Sequence, residues 1–199
     1  MANIRRLPRA AAALALLSTL ALLASCASTP TREKGTGDLS SIHVSGSVNR
    51  DFERSLEFLK GEQYPEAIEL LQEVIKREKR LPAPYVNLGI AYKKSGNEKN
   101  AEEAFLHALE VAPNHAVAAN ELAVLYREQG RFAEARKLYT GALAENPDYL
   151  PLVKNLGILC DLYLQDVPCA LAQFQHYLEL EPDDKDVTIW VADLKRRHG

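Results

Sequence analysis

The feature that most constrains this chain is that part of it is written twice. Residues 82–115 read PAPYVNLGIAYKKSGNEKNAEEAFLHALEVAPNH, and residues 116–149 read AVAANELAVLYREQGRFAEARKLYTGALAENPDY, each 34 residues long. In that register Leu88 matches Leu122, Gly89 matches Ala123, Tyr92 matches Tyr126 and Gly96 matches Gly130. Ala101, Phe105, Ala108 and Pro113 match Ala135, Tyr139, Ala142 and Pro147. A tandem period of this length specifies a unit that cannot bury its apolar face alone and does so by stacking on its neighbours. Inside each unit, apolar residues recur at helical spacing on both sides of a glycine, which predicts a helical hairpin. Gly89, Ala101 and Ala108 let two helices cross closely. Leu88, Tyr92 and Phe105 fill the space between hairpins, and Pro113 ends the second helix because proline cannot continue it.

This spacing of large, Leu, small and Tyr on a first helix, then Ala, aromatic, Ala and Pro on a second, resembles the tetratricopeptide repeat. The resemblance implies an all-α fold: a right-handed α-solenoid that binds other proteins and performs no catalysis. The period extends both ways. Counting back predicts a hairpin over residues 48–81, with Phe58 at the tyrosine position, Ser55 at the small one, and Ala67, Leu71 and Val74 on the second helix. Asp51, Arg54 and Lys79 depart from the pattern there, which suits an end repeat with a wetter outer face. Counting forward predicts a hairpin over residues 150–184, with Cys160 where tyrosine is usual. Ala170, Phe174, Tyr177 and Pro182 each fall one residue late, placing an insertion in the turn from Leu164 to Pro168. Val187, Trp190, Val191 and Leu194 then share one helix face, predicting a capping helix over residues 185–197. The whole repeat domain is read as residues 48–199.

The N-terminal part has a different character. Arg5, Arg6 and Arg9 precede an apolar run from Ala10 to Ala24, which is shorter than the ~20 residues needed to span a bilayer. It fits the core of a secretory signal. The run ends in Leu23-Ala24-Ser25-Cys26, which resembles a bacterial lipobox, so residues 1–25 are read as a lipoprotein signal peptide. The resemblance implies that Cys26 carries acyl chains (palmitate among them), each buried methylene adding about 0.8 kcal/mol of membrane affinity. Ala27 follows where an aspartate would resemble an inner-membrane retention signal. The expected location is therefore the inner leaflet of the outer membrane, facing the periplasm. Residues 26–47 are rich in Ser, Thr and Gly and form the lipidated cysteine and a flexible linker; His43 lies there with no second ligand at useful spacing.

Net charge is -3, without the basic excess that nucleic-acid binding needs. The sequence shows no nucleophile motif, phosphate-binding loop or dinucleotide glycine pattern, and His107, His115 and His176 have no partner at metal-ligand spacing. No enzyme activity, cofactor or metal is expected. Glu102 and Glu103 read as solvated helix acids. Cys160 and Cys169 flank the turn of the fourth hairpin, where antiparallel helices can bring them together. A disulfide is the favoured reading, in keeping with an oxidising compartment, and two buried apolar thiols are the alternative.

The repeat family's ligand-facing positions imply a concave groove lined by first helices. Here they are Phe52 and Leu56; Val86, Asn87, Ile90 and Lys93; Asn120, Val124 and Arg127; and Lys154, Asn155 and Ile158. Amide side chains there can pair both an N–H and a C=O of an extended peptide, and the aliphatic ones can seat an amphipathic helix. Pilus and secretion systems use lipoproteins of this general build. The expected role is a binding scaffold of that kind, with a periplasmic assembly chaperone or a regulator of a cell-wall enzyme as alternatives.

Overall fold

The computed structural model describes residues 44–198. Cys26, His43 and the signal and linker segments through residue 43 lie outside the described residues. Among the described residues nine α-helices follow in order: α1 Gly46–Lys60, α2 Tyr64–Arg77, α3 Pro82–Lys94, α4 Glu98–Val111, α5 Ala116–Glu128, α6 Phe132–Glu145, α7 Leu150–Ile158, α8 Val167–Leu180 and α9 Lys185–His198. A π-helical turn, Leu159–Tyr163, continues α7. Among the described residues there is no strand, and no helix is long and apolar enough to cross a membrane. Helices pair as α1–α2, α3–α4, α5–α6 and α7–α8, and α9 packs on α8.

The helix starts have local causes. Pro65, Pro82, Pro151 and Pro168 occupy first turns, where the missing N–H is no loss. Side chains of Ser45, Asn97, His115 and Asp166 accept a bond from the backbone N–H three residues on, capping α1, α4, α5 and α8. Because Ser45 is the cap, α1 starts at Gly46, two residues before the start read from the repeat register.

Turns inside the hairpins repeat too. Each places one residue in the left-handed region: Glu62, Gly96, Gly130 and Gln165, with φ of 57°, 81°, 77° and 53°. Glycine holds that conformation without strain, whereas a side chain there costs roughly 1–2 kcal/mol. In three hairpins the N–H five residues on bonds the carbonyl at the tyrosine position: Gln63 to Phe58, Asn97 to Tyr92 and Arg131 to Tyr126. In the fourth, the bond runs from Asp166 N–H to Cys160 C=O and spans six residues. The inserted residue is therefore absorbed between Cys160 and Asp166, starting in the widened π turn, rather than confined to the segment from Leu164 to Pro168 that the sequence points to.

The core follows the repeat code. Ala101, Phe105 and Ala108 on α4, Ala135 and Tyr139 on α6, and Ala170 and Phe174 on α8 are buried, as are Leu122, Ala123, Leu152 and Val153 on the facing first helices. Gly89 and Gly157 let the rings of Phe105 and Phe174 lie directly on the backbone of α3 and α7. In the third hairpin Ala123 holds that position opposite Tyr139, so the crossing admits one methyl there. At the first hairpin, Ser55 is fully buried with its Oγ donating to Phe52 C=O at 2.5 Å, which disposes of the one polar atom at a small position. Trp190 covers the last hairpin, its ring 5.5 Å from Phe174.

Candidate functional site

First helices lie side by side, α1 against α3, α3 against α5, and α5 against α7. The 34-residue period then sets equivalent residues in rows along this face. Leu56, Ile90, Val124 and Ile158 form one row, and each is only half-buried. Phe52, which packs on the core at the first hairpin, is also half-buried. Val86, by contrast, is buried to 3% exposure and presents little surface.

The polar residues are drawn into internal bonds. Asn87 Nδ2 donates to Ala83 C=O at 2.9 Å within its own helix. Asn155 Nδ2 donates to Asn120 Oδ1 at 2.9 Å, joining α7 to α5, and Asn155 Oδ1 accepts from Arg127 Nη1 at 3.5 Å. Asn120 is 6% exposed, so this amide bridge is largely withdrawn from solvent. Lys93 pairs with Glu128 at 3.1 Å, linking α3 to α5. Lys154 pairs with Asp184 at 2.9 Å and stands over the rings of Tyr177 and Trp190 at 5.0 and 5.3 Å. Desolvation works against the Lys154 charge, but Asp184 and Tyr177 override it and leave its pKa above the ordinary lysine value. The Lys154 ammonium, with the Val187 N–H, holds Asp184 down at about 2. Arg127 keeps a buried Nε with no partner, and its guanidinium lies 5.9 Å from the Tyr163 ring. The face is thus mainly an aliphatic row beside an amide bridge, with its lysine charges already neutralised.

Three features went unread in the sequence. Glu102 is not a solvated acid: it accepts from Arg131 Nη1 at 2.8 Å and from Tyr126 Oη at 2.9 Å, tying α4 to α5 and to the N-cap of α6. The Arg131 guanidinium, stacked 3.7 Å from the Tyr126 ring, lowers the Glu102 pKa. Leu162 and Tyr163 form an apolar corner at the end of the π turn, 66% and 44% exposed, with Tyr163 stacked 5.0 Å from Phe132. The late register of the fourth hairpin was the available signal for that corner. Finally, the Tyr139 hydroxyl is buried without a partner.

Cys160 and Cys169 are joined, with an S–S distance of 2.05 Å and Cα atoms 5.9 Å apart. Asp166 lies beside them. With both sulfurs in the bond, the cluster offers a metal no thiolate, and Asp166 is engaged in capping α8 and pairing with Arg136 at 2.9 Å.

Residues 80–144 match a tetratricopeptide repeat model. This chain carries a tetratricopeptide-repeat domain. Curated relatives match within small parts of longer proteins. Protein CTR9 homolog of Arabidopsis thaliana is 30% identical over 68% of this chain and 13% of its own length. Superkiller complex protein 3 of Mus musculus is 31% identical over 61% of this chain and 8% of its own. A probable UDP-N-acetylglucosamine–peptide N-acetylglucosaminyltransferase SPINDLY of Solanum lycopersicum is 31% identical over 49% of this chain and 10% of its own. The chain spans about a tenth of the length of these relatives. Among solved structures, pilF of Pseudomonas aeruginosa superposes with a TM-score of 0.69 at 20% identity, covering 76% of this chain and 68% of that one. MamA of Desulfovibrio magneticus RS-1 gives 0.66 at 21% identity, covering 78% and 87%. These likenesses are of fold. Tetratricopeptide-repeat domains in general act as scaffolds for protein interaction.

Proposed function

We propose that this protein is a non-catalytic scaffold that binds a protein segment in a concave groove along its first helices, held at the outer membrane by lipid on Cys26. The observation that carries the binding face is the row of Leu56, Ile90, Val124 and Ile158. Four aliphatic side chains at one repeat position, one on each first helix, stay half-exposed, and with packed helices roughly 8–10 Å apart they form an apolar row roughly 25–30 Å long that can seat an amphipathic helix lying along the face. Since Lys93 and Lys154 are already paired, recognition rests on apolar contact more than on charge. The anchor is supported by the Leu23-to-Cys26 pattern behind an apolar run of signal-peptide length. Assembly of a pilus or secretion system is the process an envelope-tethered repeat scaffold of this build would serve.

The test places a photo-crosslinking residue at Val124 or Ile158, and as control at Glu103 on a second helix, in the full-length protein in its native host. Adducts with the same partner from Val124 and Ile158, lost in Ile90→Glu, and absent from Glu103 are the expected result. Equal adducts from Glu103, or adducts unaffected by Ile90→Glu, would remove the first-helix face from consideration. Palmitate labelling that persists in Cys26→Ser would refute the anchor independently.

A further inference from the structure

The two ends of the helical stack are chemically opposite. At the first hairpin, Phe58 of α1 and Leu70 of α2 floor a notch of about 270 Å³, rimmed by Glu66, Glu69 and Glu73. Glu66, Glu69, Leu70 and Glu73 fall at i, i+3, i+4 and i+7, one stripe of α2 turned away from its buried Ala67, Leu71 and Val74. Arg54 lies over the Phe58 ring at 5.3 Å and Lys76 pairs with Glu73 at 2.5 Å, so the rim's acidity rests on Glu66 and Glu69. At the other end, α9 buries Val187, Val191 and Leu194 against the last hairpin. Its opposite stripe, Lys185, Ile189, Ala192 and Arg196, is exposed, and Ile189 is 62% exposed. One end is an apolar notch in an acidic rim; the other is an apolar knob beside Lys185, with Arg196 beyond it paired to Asp193 at 2.6 Å.

We propose that the occupant of each end is a second copy of this chain: α9 of one molecule docks its Ile189 stripe on the Phe58–Leu70 notch of the next. Charge complementarity selects this pairing. Lys185 lies one turn before Ile189 on α9 as Glu66 lies one turn before Leu70 on α2, and like ends repel. The contact is heterologous, using two different patches, so it propagates head to tail and does not close as a two-fold dimer. It continues the stacking of helix on hairpin that builds the domain itself, and it leaves the first-helix face free.

The full chain, purified in mild detergent, is followed by sedimentation velocity over a range of concentration. Wild type is expected to grow in mass with concentration, and less so at 1 M salt, where the screening length falls to ~3 Å. Two reversed forms test the pairing. Lys185→Glu with Arg196→Glu makes both ends acidic; Glu69→Lys with Glu73→Lys makes both ends basic. Each alone should lose association at least about tenfold, because like charges then face each other. An equimolar mixture of the two should recover it, since every contact in an alternating chain is again opposite in sign. All forms carry the same micelle, so differences report the ends, and recovery on mixing shows that each variant is folded. A monomeric wild type would overturn the proposal, including the case in which the chain's own residues before α1 fill the notch. Association undiminished in either reversed form, or no recovery on mixing, would overturn it as well.

Discussion

Two glycines inside helices should respond to the same substitution with opposite sign. A Cβ at Gly89 would lie 2.6 Å from Phe105 Cδ1 and 2.8 Å from Cζ. Carbon pairs prefer ~3.5–4.0 Å, so α3 and α4 must separate by roughly 1 Å or the ring must leave its rotamer. Phe105 is fully buried and has nowhere to go. Overpacking of this kind costs about 1–3 kcal/mol, and the rigid ring puts Gly89→Ala toward the upper end. The better helix propensity of alanine returns about 1 kcal/mol, leaving a net loss of roughly 1–2 kcal/mol. Gly141, in the middle of α6, has no atom within 4 Å of the same hypothetical Cβ. There the propensity gain acts alone, and Gly141→Ala should stabilise by about 1 kcal/mol. At about 2–4 °C per kcal/mol for a domain of this size, melting followed by circular dichroism should fall by about 2–8 °C for Gly89→Ala and rise by about 2–4 °C for Gly141→Ala. If Gly89→Ala raised the melting temperature as Gly141→Ala does, the close-crossing account of this repeat position would be wrong.

Four further outcomes follow, three from single residues and one from the disulfide. Tyr139→Phe removes a hydroxyl that is buried without a partner; urea unfolding should show unchanged or increased stability, not the loss of ~1 kcal/mol expected for a hydrogen-bonded tyrosine. Reducing the Cys160–Cys169 bond opens a loop of nine-residue separation and should lower stability by about 2.5–3 kcal/mol on the chain-entropy model, read as a shift in urea midpoint with and without reductant. His115 and His176 should respond to pH in opposite directions. Burial holds the His115 pKa below its ordinary value, and its neutral Nδ1 caps α5. Its contribution is present above the unfolded value of about 6.5 and is lost as pH falls through the folded value, so His115→Asn, which keeps a capping acceptor, should flatten the acid limb of the stability profile. Glu179, then the Pro147 carbonyl and Asp148, raise the His176 pKa against desolvation. Its contribution is full below about 6.5 and is lost as pH rises through the folded value, so His176→Gln should flatten the alkaline side of neutrality. A histidine variant that leaves its own limb unchanged would refute the corresponding assignment.

The sequence alone determined the fold. A 34-residue period, small residues at the crossings and aromatics between them fix a stacked hairpin, because those positions depend on contacts within a hairpin and with its neighbour, and both partners lie within one or two periods. Tertiary structure decided what the period cannot encode. Whether Lys93 and Lys154 were free for a ligand depended on Glu128, at the end of α5, and Asp184, in the turn before α9, each about 30 residues away or more. Glu102 read as solvated because its partners, Tyr126 and Arg131, arrive only when the next hairpin docks. The inserted residue was visible as a late register, but its accommodation from a π turn onward, beside the disulfide, was not. A hydrogen-bonded turn is chosen by the backbone it must join, and many residue types can fill it. The opposition between the two ends needed both levels: the sequence supplied the stripes of Glu and Lys, and only the packed stack left one facing out at each end.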